Sequence, residues 1–182
     1  MILASASPRR RELLRFICPD FDVVASGVDE ALDEAPSPAA AARLALRKAR
    51  AVARGHAGIV LAADTLVVID GLALGKPADA DAARAMLHRL SGRRHRVITG
   101  VAVIEAATGR ERSAAVISQV YMRELSASEI DAYVASGEPA DKAGAYAIQG
   151  LGGRLIAALL GSYTNVVGLP LPTVRHLLSG ST

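Results

Sequence analysis

The chain of 182 residues has no tryptophan, one cysteine and only 3% aromatic residues. The lone Cys18 excludes an internal disulfide. It closes the first apolar stretch, so a buried structural thiol is expected there. With so few rings, Ala, Leu and Val must fill the core, and an apolar fraction of 51% suffices for one. No His/Cys cluster has zinc spacing, and no run reaches the roughly 18 apolar residues of a membrane span. There is no apolar leader segment, so a soluble, cytoplasmic chain is expected. A net charge of +3 is too small to argue for nucleic acid and is equally compatible with phosphate ligands. The GxxxxGK[ST] loop and the G-x-G-x-x-G fingerprint are both missing, which excludes a P-loop NTPase and a dinucleotide-binding turn. Lysine is scarce too: Lys48, Lys76 and Lys142 stand beside 18 arginines, so each lysine merits inspection.

What is present begins with MILASASPRRREL. Ser7 suits a helix N-cap and Pro8 the first helical position. Arg9, Arg10 and Arg11 then fall in the first turn, where the helix dipole is already positive. Such an end binds anions through its free N–H groups, and arginines added there point to an anionic ligand.

The rest of the chain reads as alternating elements. MILAS predicts a buried strand, residues 8–18 a helix and 21–26 a second strand. The acidic, Pro-containing stretch 27–38 predicts a loop, and 38–54 a helix. Residues 58–71 predict two strand segments interrupted at Ala63-Asp64-Thr65. A helix over 78–90 has Ala82, Ala85, Met86 and Leu90 on its apolar side. Residues 95–125 predict a hairpin turning near Thr108-Gly109, and Ser126 with Glu129 a capping box. Residues 137–153 read as a glycine-rich loop, 154–159 as a short strand, and a helix from about 170 ends at Ser179-Gly180. This order suggests an α/β fold with a mixed sheet, in one domain over 1–182 with two lobes around a cleft.

Several residues carry chemistry. Asp64 sits in an apolar strand setting, where a carboxylate needs a partner or a job. It is a bulge or turn aspartate, or else a metal ligand or general base. Lys76 in LGKP is a solvated turn lysine or a phosphate contact. Lys48 lies on a basic helix whose charges read as a solvated face, unless one points into a cleft. Lys142, Tyr146 and Gln149 share the stretch DKAGAYAIQG, and the Gln149 amide could both donate to and accept from a base edge. His95 reads as a strand-entry hydrogen-bonder. The acidic loop holds Asp29, Glu30, Asp33 and Glu34, one of which could join Asp64 around a divalent cation. Anion-seeking cations, an embedded carboxylate and an acidic loop together fit metal-assisted phosphate chemistry.

The blocks LASASPRRRELL, LAADTLVV, LGKP, LSGRRHRVITG, YVASGEPADKAGAYAIQGLGG and GSYTNVVGLPL run from residue 3 to 171. In that order they resemble the Maf family of nucleoside triphosphate pyrophosphatases. The resemblance implies an α/β fold with an elongated mixed sheet, flanking helices and a deep central cleft, related to the inosine-triphosphate pyrophosphatases. It implies hydrolysis of a nucleoside triphosphate to the monophosphate and pyrophosphate with Mg²⁺ or Mn²⁺, as house-cleaning of nucleotide pools, and often a homodimer. Asp64 matches the family's proton acceptor, and Arg9, Thr65 and Gln149 its substrate-selecting positions. Ser5, Arg10, Glu30, Lys48, Lys76 and Lys142 match other polar cleft positions, with Asp64 and Glu30 the expected metal-holding pair. Thr65 and Gln149 look like the branch acting on dTTP and UTP. The alternatives are CTP, 7-methyl-GTP or a modified nucleotide, or a septum-formation inhibitor acting through protein contacts. Ala6 and Arg47 depart from what many relatives carry; the first removes nothing catalytic, and the second makes its helix more basic.

Overall fold

The computed structural model describes residues 1–32 and 34–180; Asp33 of the acidic loop lies outside them. The chain starts with β1 (Ile2–Leu3), α1 (Pro8–Arg15) and β2 (Asp22–Val23). The Ser7 hydroxyl caps α1 by accepting from the Arg10 N–H at 3.4 Å, and Pro8 opens it as expected. Both α1 and β2 are shorter than their patterns predicted. Leu13 and Leu14 are buried, but Phe16 is 79% exposed and Cys18 is half-buried rather than a core thiol. The turn at Phe16 and Ile17 ends the helix, and Cys18 follows it.

Next come α2 (Pro38–Ala53), β3 (Ile59–Ile69), β4 (Leu72–Leu74) and α3 (Ala80–Leu90). The interruption expected at Ala63-Asp64-Thr65 does not occur: β3 runs unbroken through Asp64. The polar residues break the apolar pattern but not the ladder, because β5 (Arg94–Glu105) pairs with β3 at every position from Ile59 to Val68. On α3 the buried stripe is Ala83, Leu87 and Leu90; of the expected set Leu90 is buried, Met86 packs against the core, Ala82 is half-buried and Ala85 faces solvent. β5 and β6 (Arg110–Met122) form the expected hairpin, paired from Glu105↔Arg110 to Arg94↔Tyr121. α4 (Ala127–Ala135) opens with the complete Ser126/Glu129 capping box.

The stretch 137–153 is not irregular loop throughout. It folds into short 3₁₀ segments at Glu138–Asp141, Ala143–Ala145 and Gly150–Leu155. β7 (Ile156–Leu160), α5 (Tyr163–Val167) and α6 (Leu171–Ser179) complete the described chain. α5 was not legible in GSYTNVVGLPL, because five residues make too short a window for helical periodicity.

One seven-stranded mixed sheet runs in the order β2-β1-β3-β5-β6-β7, with β4 also on β3. β1 is parallel to β2 and β3; the other pairings are antiparallel. Side chains alternate across β3. Leu61 and Ala63 pack with Leu14, Leu169 and Val174 from α1 and the C-terminal segment. Val60 and Ala62 face Ala45, Ala49 and Val52 of α2 on the other side. Val67 and Ile69 join a third cluster with Leu87, Ile130 and Tyr133. α2 sits very close to the sheet at Gly100, where a Cβ would collide with the Ala41 carbonyl. Only a glycine at that point of β5 lets the helix approach so near.

This topology makes an opening. On one edge β3 pairs with β1 at Val60 and Leu61, and with β4 from Val67 to Ile69. Residues 63–66 between them have no strand partner on that edge. Asp64 and Thr65 therefore sit at a gap in the sheet. Among the described residues, no helix is long and apolar enough to cross a membrane.

Candidate active site

A cleft of about 680 Å³ opens at this gap. That is the size range of small-molecule sites. Ser5, Arg9, Arg10, Glu30, Lys48, Asp64, Thr65, Lys76, Lys142 and Gln149 all line it. The ten residues come from segments up to 144 positions apart, so only the fold assembles them.

The two faces of β3 divide the work. Asp64 points to the α2 face and is 5% exposed. Lys48, 4% exposed, is not part of a solvated face; its ammonium donates to Asp64 Oδ1 at 2.5 Å and to Glu30 Oε1 at 2.6 Å. This pairing lets both charges sit in the interior, where either alone would be costly. Glu30 arrives from the loop before α2. Partial burial works to raise its pKa, but the hydrogen bond and charge of Lys48, then the charges of Lys76 and Arg10, hold it below the usual carboxylate range. Arg47 does more than add charge: its guanidinium donates to the carbonyls of Asp29 at 2.7 Å and Ala31 at 3.3 Å, on either side of Glu30.

Thr65 points to the opposite face. There Arg10 is held by three acceptors: the Gly168 carbonyl at 2.9 Å, Thr65 Oγ1 at 3.1 Å and Ser5 Oγ at 3.2 Å. Thr99 donates to the Asn165 carbonyl at 2.9 Å, which uses its only hydroxyl proton. The 2.9 Å contact between the two threonines must then run from Thr65 to Thr99. Hydrogen bonds thus point one way, Arg10 to Thr65 to Thr99 to Asn165. Burial lowers the Arg10 pKa, with Asp64 and Glu30 acting against it. Thr99 and Asn165 were not singled out from sequence. The available signal was a threonine in the apolar strand VITGVAVI, directly opposite Thr65 in the ladder.

The far wall carries Lys142 and Gln149. Lys142 donates to the Glu138 carbonyl and to Asp141 Oδ1, both at 2.6 Å. Asp141 also lies 3.5 Å from an Arg9 guanidinium nitrogen, joining the rim across the cleft. Lys76 is exposed at the cleft edge. Arg11 is half-buried. His95 is the expected structural hydrogen-bonder: it is buried 2.6 Å from the Tyr146 hydroxyl, and burial drops its pKa to about 4.

The described residues contain no group of three or more His, Cys, Asp or Glu that could hold a metal ion. Of the three carboxylates that line the cleft, Asp64 and Glu30 are joined by Lys48, and Asp141 is engaged by Lys142 and Arg9. A magnesium-type ion commonly takes one or two carboxylates and completes its shell with substrate phosphates and water. The donor set fits such an ion only when an anionic substrate supplies further oxygens.

The model of a family described as Maf-like protein matches residues 1–181. The dTTP/UTP pyrophosphatase of Moorella thermoacetica is 52% identical over 181 residues, spanning 98% of this chain and 93% of that one. The dTTP/UTP pyrophosphatase of Myxococcus xanthus is 53% identical over 180 residues, spanning 98% and 90%. In fold, the chain is similar to the Staphylococcus aureus Ham1 protein, with a TM-score of 0.57 at 15% identity across 100% of this chain and 98% of that one. The full-length family match, the relatives at about half identity and the cleft built from the matching blocks lead to one conclusion: this chain belongs to the Maf-like protein family.

Proposed function

We propose that this protein is a cytoplasmic nucleoside triphosphate pyrophosphatase acting on dTTP and UTP. The observation that carries the reading is the charge plan of the cleft. Buried Asp64 and the more exposed Glu30 share the cleft with Arg9, Arg10, Lys48, Lys76 and Lys142. Five cations suit a triphosphate, and a buried carboxylate beside them suits proton abstraction. Curated relatives at about half identity carry the name dTTP/UTP pyrophosphatase, which supports the pyrimidine assignment.

In this mechanism Asp64 takes a proton from a water molecule. The water oxygen bonds to the α-phosphorus, the α–β anhydride bond breaks, and pyrophosphate leaves with the bridging oxygen. Arg10, fixed by its three acceptors, and Arg9, Lys76 and Lys142 neutralise charge on the phosphates. Lys48 orients the Asp64 carboxylate by donating to its Oδ1 at 2.5 Å. Gln149 reads the base, donating to a pyrimidine carbonyl and accepting from the ring N–H. Asp64 and Glu30 would hold Mg²⁺ or Mn²⁺, which supplies charge neutralisation on the triphosphate.

A panel of nucleoside triphosphates, scored for pyrophosphate release with Mg²⁺ and with Mn²⁺, tests the reading. The expected result is highest kcat/KM for dTTP and UTP. Preference for CTP or 7-methyl-GTP, or binding with no pyrophosphate released, refutes it.

A further inference from the structure

Glu138 does not line the cleft, yet it fastens the wall that carries Gln149. Its carboxylate accepts the Leu151 and Gly152 N–H groups at 2.9 Å each and the Tyr133 hydroxyl at 2.9 Å. The same Tyr133 oxygen accepts the Ala147 N–H at 3.2 Å. Gln149 is thus flanked on both sides, at 147 and at 151–152, by backbone tied to one Tyr–Glu pair. The Glu138 carbonyl accepts from Lys142 as well.

Three donors converge on this carboxylate, and it is the acceptor-only group that can satisfy all of them. The fit is tight. Gly150 has φ +68°, and a Cβ there would stand 2.6 Å from Glu138 Oε2. A Cβ at Gly152 would stand 2.5 Å from the Tyr133 hydroxyl. At Gly152 the Ala147 carbonyl, 2.4 Å from such a Cβ, is as close, so the clamp and the backbone it holds leave no room for a side chain there. The half-buried Gln149 side chain makes no hydrogen bond among the described residues, so no polar partner fixes its amide and the placement of its backbone matters all the more. A base-reading amide works only if held within about half an ångström of its productive place.

We propose that Glu138, with Tyr133, is a positioning residue for base selection, acting through Gln149. The inference rests on the reading of Gln149 as the base-facing amide. Glu138→Gln puts an NH₂ group where an N–H must be accepted. Tyr133→Phe removes the shared hydroxyl with no change of shape.

The test measures kcat and KM for dTTP and dGTP in Glu138→Gln, Tyr133→Phe and Gln149→Ala. Glu138→Gln should lower kcat/KM for dTTP about tenfold, mostly through KM, and that for dGTP less than twofold. Tyr133→Phe should shift the ratio in the same direction, and it decides the matter if Glu138→Gln does not fold. In a Gln149→Ala background, Glu138→Gln should not change the ratio further. If Gln149→Ala loses selectivity while both clamp variants keep it, or if they slow both nucleotides equally, the clamp is refuted and the base reading stands. If Gln149→Ala keeps its selectivity, the base reading fails and the inference fails with it.

Discussion

Lys48 Nζ stands 2.5 Å from Asp64 Oδ1, and both side chains are almost wholly buried. The same nitrogen reaches Glu30, whose side chain is more than half exposed. One ammonium therefore links a buried carboxylate to one that opens on the cleft. The buried end is fixed by that contact, and the open end meets whatever enters.

Removing the carboxylate charge should stop the chemistry and spare binding. Asp64→Asn can still accept from Lys48 through its amide oxygen. Its kcat should fall at least about 100-fold, with the calorimetric Kd for a triphosphate within a few-fold of the parent's. Near-normal turnover would remove Asp64 from the mechanism.

Breaking the pair from the other side should cost stability. Lys48→Met leaves the Asp64 charge buried without its partner, a loss of about 3–5 kcal/mol in comparable pairs. The double variant Lys48→Met/Asp64→Asn leaves no lone charge, so it should be more stable than Lys48→Met alone. Denaturant melts of the three variants and the parent measure the coupling. Simple additivity would mean that the contact contributes little.

An acidic residue at position 149, the proposed base-reading position, should turn pyrimidines away. Glutamate can accept from a ring N–H but cannot donate to a carbonyl. Gln149→Glu should reduce kcat/KM for dTTP and UTP by roughly tenfold or more. An unchanged pyrimidine preference in the nucleotide panel would count against the role of Gln149.

His95 sets a pH limit on stability. Burial depresses its pKa to about 4, below an unfolded value near 6.5, so the unfolded chain binds the extra proton in that interval. Its contribution is complete above about pH 6.5 and is lost as pH falls toward 4, by about 3 kcal/mol in all. Melts across this window should show a steep loss in the parent and a shallower slope in His95→Phe. Parallel slopes would show that another group dominates.

Much of the chemistry was legible in the residue types. A helix start with three arginines pointed to an anionic ligand and Asp64 among apolar residues to a carboxylate needing a partner; Arg9, Arg10 and Asp64 do line one cleft, and Asp64 is paired with Lys48. The hairpin, the capping box and the helix starting at Pro38 were also readable, because caps and turns are local. Other features depended on distant chain. Lys48 looked like one charge among several on a basic helix, and its partners lie 16 and 18 residues away. Arg11 looked like its neighbours, yet Arg10 alone of the three reaches Ser5, Thr65 and Gly168.

By itself the sequence determined the alternation of helix and strand, the apolar core and the types of group available for phosphate chemistry, since periodicity and composition act locally. The tertiary structure decided what those groups face. β3 continues through Asp64 because β5 pairs with it at every step, and the cleft exists because β1 and β4 leave the opposite edge unpaired between them. Strand alternation then sends Asp64 to Lys48 and Thr65 to Arg10, on opposite faces, although the two residues are adjacent in the chain.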